Sequence, residues 1–213
     1  MIEKLKILHY PKLDSILRVE KAIQDSEEYP TRMELWKSLP KQMQYQTFKL
    51  ILEYLENSNK IMFQDGKVIW IFANNKKLNK LIQEAVRVWE KSLKRFKMKE
   101  FIIQLSRDLF QIKTTIEKEL IQGNKSNAEL YELIVKTIDF LKARRIGEPI
   151  SKKLPIFKYF KKKYGISNLF LIKLTKEARG FYTNTARDKF KILQIILEIH
   201  KSHKEYEKKG RYK

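Results

Sequence analysis

Lysine and arginine are the side chains of this 213-residue chain whose number and spacing offer the clearest chemistry. They total 46 against 25 aspartates and glutamates, which gives a formal net charge of +21. The excess is uneven, because residues 1–75 carry a net charge of +1, whereas residues 142–191 hold 15 basic residues and three acidic ones. Clustered cations neutralise phosphates, so the sequence predicts a polyanionic partner, with nucleic acid the first candidate.

The residues that we predict to contact nucleic acid form two groups. In the N-terminal part, lysines accompany glutamines, whose amide groups can hydrogen-bond to adenine. In the C-terminal part, the cations are interleaved with aromatic residues, which stack on bases where they are exposed. The predicted contacts are Gln42, Gln46, Lys49, Lys67, Arg144, Arg145, Lys152, Lys153, Lys158, Lys161, Lys162, Lys163, Lys173, Lys176 and Arg179.

Histidine, cysteine and glycine give no comparable indication of catalysis. The chain has no cysteine and six glycines, so it has no thiolate ligand, no cysteine nucleophile and no glycine-rich phosphate loop. His200 and His203 share a helical spacing, but only scattered carboxylates accompany them. We therefore predict no catalytic residue, no metal site and no cofactor. A nuclease built from scattered acids is the enzymatic alternative.

Apolar periodicity places the N-terminal candidates on a small helical unit. Stripes spaced three and four residues apart predict three helices between residues 13 and 57. Thr31 and Glu34 have the spacing of a capping box at the start of the second helix. Asp65-Gly66, between two β-prone runs, predicts a hairpin over residues 61–72.

This order of elements resembles a winged helix-turn-helix domain, in which the hairpin is the wing and reaches toward nucleic acid. The resemblance covers residues 13–72 and rests on element order and apolar positions. It implies that Gln42, Gln46 and Lys49 face the nucleic acid, and that the wing adds Lys67. Because the segment is nearly neutral and its third helix also exposes a leucine and a glutamate, a protein partner is the alternative.

From residue 75 onward the apolar spacing is that of helices. One stripe runs from Leu78 to Leu93, and a second keeps an a/d seam from Met98 to Ile116. Such a seam serves either packing within the chain or a homodimer, so residues 98–116 are a candidate dimer contact.

A second stretch, residues 157–178, resembles a bare helix-turn-helix. Its first helix ends at Tyr164-Gly165, where glycine provides the backbone conformation that a tight corner requires. Ser167 is placed to cap a second helix. The alternative is a helical hairpin packed on its neighbours, with its lysines in solvent.

These patterns predict a mainly α protein with three parts. They are a winged helix-turn-helix domain over residues 1–75, a helical region with the candidate dimer contact over residues 76–147, and a basic helical region ending in a polar tail over residues 148–213. We expect an archaeal-type, non-catalytic DNA-binding protein, most simply a transcriptional regulator. The alternative is an RNA-binding or ribonucleoprotein assembly subunit. No apolar run approaches the roughly 18 residues of a membrane span, so we expect a cytoplasmic protein that binds no membrane.

Overall fold

A computed structural model describes residues 11–72, 75–90, 100–186 and 191–210. Of these residues, 48% are in helices and 23% in strands, so the prediction of a mainly α protein is wrong and the fold is α/β. The chain divides into two compact units, Met1–Trp70 and Ile71–Lys213.

The first unit contains three helices followed by a two-stranded antiparallel sheet, in the predicted order. The elements are α1 (Leu13–Asp25), α2 (Arg32–Lys37), α3 (Tyr45–Asn57), β1 (Ile61–Gln64) and β2 (Lys67–Trp70). The capping box at the start of α2 is present, because Thr31 and Glu34 each accept a backbone hydrogen bond from the other. The apolar face of α3, which includes Phe48 and Ile51, fills the core of this unit.

The hairpin of the first unit has a two-residue turn of the kind that the sequence predicted. Asp65 and Gly66 have φ values of 48° and 74°, and positive φ at both central positions is typical of a type I′ turn. Thr31 forms an isolated antiparallel bridge with Lys67, and the amide of Val68 donates to the carbonyl of Pro30 at 2.8 Å. These bonds tie the hairpin to the segment that precedes α2.

The second unit is built on a six-stranded mixed sheet with the strand order β3-β4-β8-β7-β6-β5. Among its described strands, β4 and β8 form the one parallel pair, and the other neighbours are antiparallel. In chain order the elements are α4 (Lys76–Glu84), β3 (Val86–Glu90), β4 (Glu100–Leu105), α5 (Arg107–Ile121), α6 (Ala128–Lys142), β5 (Glu148–Pro149), α7 (Pro155–Tyr164), β6 (Phe170–Lys173), β7 (Arg179–Ala186), β8 (Lys191–His200) and α8 (His203–Gly210).

Helices cover both faces of this sheet. Successive residues of a strand point to opposite faces. On β7, the ring of Phe181 lies 5.1 Å from that of Phe160 in α7, whereas a Cβ on Gly180 would lie 3.2 Å from the hydroxyl of Thr137 in α6. Helices α7 and α6 are therefore on opposite faces. Helices α4 and α8 pack beside α7, and α5 packs beside α6.

The prediction of a continuous helix over the seam at residues 98–116 is wrong. Residues 91–99 lie outside the described residues, β4 occupies residues 100–105, and α5 begins at Arg107. Strand β4 contains the continuous apolar run Phe101-Ile102-Ile103, and so short a run does not reveal whether its period is that of a strand or a helix. The seam therefore no longer supports a homodimer.

The prediction of a second helix in this helix-turn-helix is also wrong. Gly165 does end α7 in the left-handed conformation, with φ 71°, but the chain then enters strand β6. The run of apolar residues 169–172 alternates between the two covered faces of the sheet, which explains why it resembled a buried helix. Residues 148–149, near the predicted domain boundary, form the edge strand β5 within the second unit.

Gly165→Ala should destabilise the second unit more than Gly123→Ala. Both glycines have positive φ, 71° and 83°, so alanine adds about 1 kcal/mol of backbone strain at either position. At Gly165 the new Cβ would also meet Asn75 Oδ1 and Lys77 Cβ, whereas nothing lies within 4 Å at Gly123. We expect a further loss of about 2 kcal/mol at Gly165, measured by urea unfolding followed by circular dichroism. Equal losses would contradict the close approach of α4 to the end of α7.

Candidate nucleic-acid interface

Helix α7 separates apolar and basic residues onto opposite sides. Its apolar residues follow the helical period and pack against the sheet, with Phe157 and Phe160 almost fully buried. Lys158, Lys161 and Lys162 consequently point away from the core, and all three are exposed. Because α7 contains no acidic residue, its outer surface is uniformly positive.

The helices beside α7 extend this positive surface. Helices α4, α7 and α8 together contain ten lysines and three glutamates, whereas α5 and α6 contain five basic and six acidic residues. Among the described helices of the second unit, those on the α7 side thus form a strongly positive surface, as expected of a surface that binds a polyanion. We call this surface the lysine face. Its exposed members are Lys76, Lys77, Lys80, Lys158, Lys161, Lys162, Lys163, Lys204, Lys208 and Lys209.

Two polar contacts fix α4 to the end of α7. Asn75 caps α4 with its side-chain oxygen, while its amide nitrogen donates to the carbonyl of Gly165 at 2.7 Å. Lys77 Nζ donates to the carbonyl of Lys162 at 2.6 Å. Carbonyls at the end of a helix lack partners within the helix, so these bonds satisfy groups that would otherwise need water. They also set the spacing between the lysines of α4 and those of α7.

A chain of three side chains fixes α8 to the sheet. Arg179 Nη2 lies 2.7 Å from Nε2 of His203, whose Nδ1 lies 2.6 Å from the hydroxyl of Tyr206. A guanidinium only donates, so Nε2 accepts and Nδ1 carries the ring proton, which it donates to Tyr206. The ring of Tyr206 also packs on Phe181. Residues 203–210, predicted to be part of a polar tail, therefore form a docked helix.

Glu198 of β8 is the polar centre beneath the lysine face. Its Oε1 accepts hydrogen bonds from Lys163 Nζ at 2.6 Å and from the hydroxyl of Tyr164 at 3.2 Å. Its Oε2 accepts one from Lys209 Nζ at 2.7 Å, and the hydroxyl of Tyr159 lies 3.4 Å from Oε1. The carboxylate, whose side chain is 11% exposed, thus joins β8 to both α7 and α8.

A β-bulge directs Glu198 toward the lysine face. Leu193 of β8 packs with α7, and strict alternation from there would point Glu198 to the opposite face. The register shifts instead, because Phe181 pairs with Glu198 while the next residue of β7 pairs with Ile196. Leu197 is the extra residue, so Leu197 and Glu198 lie on the same side of the sheet.

The charges around Glu198 are strongly coupled. Burial acts to raise the pKa of Glu198, but contacts with His200, Lys163 and Lys209 outweigh it and hold that pKa well below its ordinary range. Burial acts to lower the pKa of Lys163, but its bonds to Glu198 and Tyr164 raise it overall. Burial raises the pKa of the Tyr164 phenol against the opposing effect of Lys163. The carboxylate of Glu198 and the ammonium group of Lys163 are therefore both charged at neutral pH.

A crevice of about 530 Å³ opens beside this cluster. It lies where β4 and β8, the parallel pair, reach their carboxyl ends, and it is lined by residues of α5, α6, α7, β8 and α8. In open α/β sheets ligands bind outside the carboxyl ends of the strands, so this is the position where a ligand site is expected.

Of the four predicted contact residues in the first unit, two are exposed on α3, one precedes α3 and one lies in the hairpin. Gln46 and Lys49 lie on the outer side of α3. Gln42 precedes α3, and its amide nitrogen donates to the carbonyls at the end of α2. Lys67 is half-buried at the start of β2.

Two predicted cations of the second unit are hydrogen-bonded to other groups of the protein. Arg179 is 8% exposed and donates to the carbonyls of Thr175 and Ala178 as well as to His203. Its guanidinium is therefore not placed to contact a phosphate, although the lysine-rich context of the sequence made it a candidate. Lys163 is on the lysine face but is bonded to Glu198.

The remaining predicted cations of the second unit are distributed more widely. Lys158, Lys161 and Lys162 come together on α7, whereas Lys173 pairs with Glu148 at the β5–β6 edge, with 2.6 Å between nitrogen and oxygen. The others lie in connecting segments, namely Arg144 and Arg145 after α6, Lys152 and Lys153 before α7, and Lys176 between β6 and β7.

Six lysines of the lysine face were missing from the predicted set. They belong to α4 and α8, which lie outside the charge-rich window at residues 142–191. The available signal was their helical spacing, since Lys76 and Lys80, like Lys204 and Lys208, are four residues apart and share a helix side. Their approach to α7 depends on tertiary contacts that the sequence pattern does not contain.

Comparison with known proteins gives no relative. A scan of protein-family models, a search of curated proteins and a search of solved structures each returned no match to this chain. None of the described helices has the length and apolar character that crossing a bilayer requires. In the described part of the chain, no three histidine, aspartate or glutamate side chains converge closely enough to hold a metal ion.

Glu198→Gln should destabilise the second unit by about 2 kcal/mol at neutral pH, because it leaves buried donors and two lysines without their carboxylate. The folded-state pKa of Glu198 is depressed, so its contribution is fully present above the ordinary value of 4.5 and is lost as the pH falls below it. The difference in unfolding free energy between wild type and variant should therefore shrink in acid.

The control for this experiment is Glu207→Gln, which removes the same charge from an exposed position on α8. We expect that variant to change the unfolding free energy by less than about 0.5 kcal/mol. Urea unfolding between pH 3 and pH 7, which spans the ordinary pKa of 4.5, measures both variants. Equal losses for the two, or a Glu198→Gln loss that does not vary with pH, would show that the carboxylate is not the centre described above.

Proposed function

We propose that the protein binds duplex DNA without catalysing a reaction, and that it acts as a transcriptional regulator in the cytoplasm. The observation that carries this proposal is the lysine face, where ten lysines lie on three adjacent helices that contain three glutamates. A one-sided cationic surface attracts the phosphate backbone and gains affinity from counterion release. The face formed by α5 and α6 is nearly neutral, so the positive charge of the described helices is concentrated on the other side of the sheet.

The first unit contributes sequence preference in this proposal. Its order of three helices and a hairpin is that of a winged helix-turn-helix domain, and Gln46 and Lys49 are exposed on α3. Glutamine can form two hydrogen bonds to adenine, and lysine can reach guanine or a phosphate. Phosphate contacts position a protein on DNA while base contacts specify the sequence, so the two units have complementary roles.

Replacing Lys158, Lys161 and Lys162 together with alanine should weaken binding to duplex DNA by about tenfold to a hundredfold. Each lysine that neutralises a phosphate adds about 0.9 to the slope of log affinity against log salt, so the slope should fall by about 2 to 3. Fluorescence anisotropy with a labelled duplex at several salt concentrations measures both quantities.

The matched control replaces three lysines of the opposite face, Lys118, Lys136 and Lys142. This variant carries the same net charge as the α7 variant, so a general electrostatic effect would weaken both equally. We expect the control to bind almost as tightly as wild type. Equal losses in the two variants would contradict the lysine face as the binding surface. A wild-type preference for structured RNA over duplex DNA would instead favour the RNA-binding alternative.

Replacing Gln46 and Lys49 with alanine should reduce sequence preference more than total affinity. After selection of a preferred duplex from a random library, we expect the affinity ratio between the selected and a scrambled duplex to fall by about tenfold. The control replaces Lys21 and Gln24, an exposed pair of the same residue types on α1. An unchanged ratio in the α3 variant would show that Gln46 and Lys49 of α3 do not recognise the bases.

A further inference from the structure

The crevice at the carboxyl ends of β4 and β8 is a feature of the second unit that the proposed function leaves unexplained. It forms because the helices that follow these two neighbouring strands go to opposite faces of the sheet. Helix α5 packs beside α6, whereas α8 packs beside α7. The amide of Ser106, which follows β4, donates to the carbonyl of Ile196 on β8 at 2.9 Å, so the two strand ends lie side by side, and the end of β8 lines the crevice.

The lining of the crevice has an apolar wall and a polar wall. Leu109, Ile112 and Leu130 form the apolar side, and Tyr164 adds an aromatic ring. The polar side holds three carboxylates and three lysines, so the crevice is nearly neutral although it opens next to the lysine face. A phosphate is consequently not the group that this interior selects. Its charged members are Asp108, Glu198, Glu205, Lys163, Lys208 and Lys209.

His200 adds a buried polar ring to the lining of the crevice, beside Glu198. Its ring lines the crevice, and the residue is 3% exposed. Nε2 lies 3.1 Å from Glu198 Oε2, yet within the described part of the chain it has no hydrogen bond of good geometry. Nδ1 is 3.8 Å from the carboxylate of Glu205, which is beyond hydrogen-bond distance. Its contact with Glu198 lowers the pKa of that carboxylate, so His200 belongs to the same buried polar cluster that lines the crevice.

We propose that the crevice takes one unpaired nucleobase of the nucleic acid that lies on the lysine face. A base is flat and neutral, its faces suit the apolar wall, and its amino and imino groups donate hydrogen bonds to carboxylates. The volume of about 530 Å³ is within the usual range of small-ligand sites, roughly 300 to 1,000 Å³. Lys208 and Lys209 line the crevice and also belong to the lysine face, so the phosphates that flank the base can remain outside. This inference rests on the proposed function.

The test compares three labelled duplexes that differ at one position. One is fully paired, one carries a single bulged cytosine, and one carries an abasic bulge at the same place. Wild type should bind the cytosine bulge about tenfold more tightly than the abasic bulge, because stacking and hydrogen bonding act only on the base. Leu130→Trp, which fills the crevice from a half-exposed position, should abolish this preference while keeping the affinity for the paired duplex.

Ile112→Trp provides a second way to fill the crevice, from a residue that is 44% exposed and therefore tolerates a larger side chain. Equal wild-type affinity for the base and abasic bulges would overturn the inference, as would a preference that survives both tryptophan variants. If wild type binds free cytidine saturably and both variants abolish that binding, the crevice recognises a base, and its ligand is a free nucleoside. If wild type binds none of the duplexes, the proposed function fails; equal affinity for all three leaves it intact and removes only the base site.

Discussion

Ten lysines on three adjacent helices repel one another, and the carboxylate of Glu198 offsets part of this repulsion at the place where α7 meets α8. It accepts bonds from Lys163 and Lys209, so a lysine in the last turn of α7 and a lysine in the last turn of α8 share one negative charge. The β-bulge at Leu197 is what brings the carboxylate to that side of the sheet. A local irregularity of one strand thereby controls the packing of two helices.

The exposed lysines owe their direction to the apolar residues between them. Phe157 and Phe160 are almost fully buried, and burying a side chain of that size contributes about 2 to 3 kcal/mol. Charge repulsion among exposed lysines costs far less per pair, because water and salt screen it. The hydrophobic contacts of α7 therefore fix the helix orientation, and the positive surface follows from it. In this sense the lysine face is a consequence of core packing.

The first unit was predictable from the sequence and the second was not, for physical reasons. Helices with one solvent face show their period, as α3 does, and the Asp65-Gly66 turn needs the left-handed conformations that these residues adopt readily. In the second unit, β7 and most of β8 are buried without alternation, because both faces of the sheet are covered there. The bonds of Glu198 come from Lys163, which is 35 residues away, and depend on a bulge without a sequence signature. Basic residues were recognisable as a class, but whether each one faces solvent, like Lys158, or the interior, like Arg179, depends on that packing.

The position of β8 between β4 and β7 affects the order in which the second unit can assemble during synthesis. Strand β4 has its parallel partner only after residues 191–200 are available, and Ser106 reaches its carbonyl partner across 91 residues of chain. Contacts this distant in sequence form slowly, because a long loop must close before they provide any stabilisation. Until then α4 and α7 have no complete sheet to pack on. A ribosome that has not yet released β8 would hold a chain in which α4 and α7 are present but are not yet arranged as one surface.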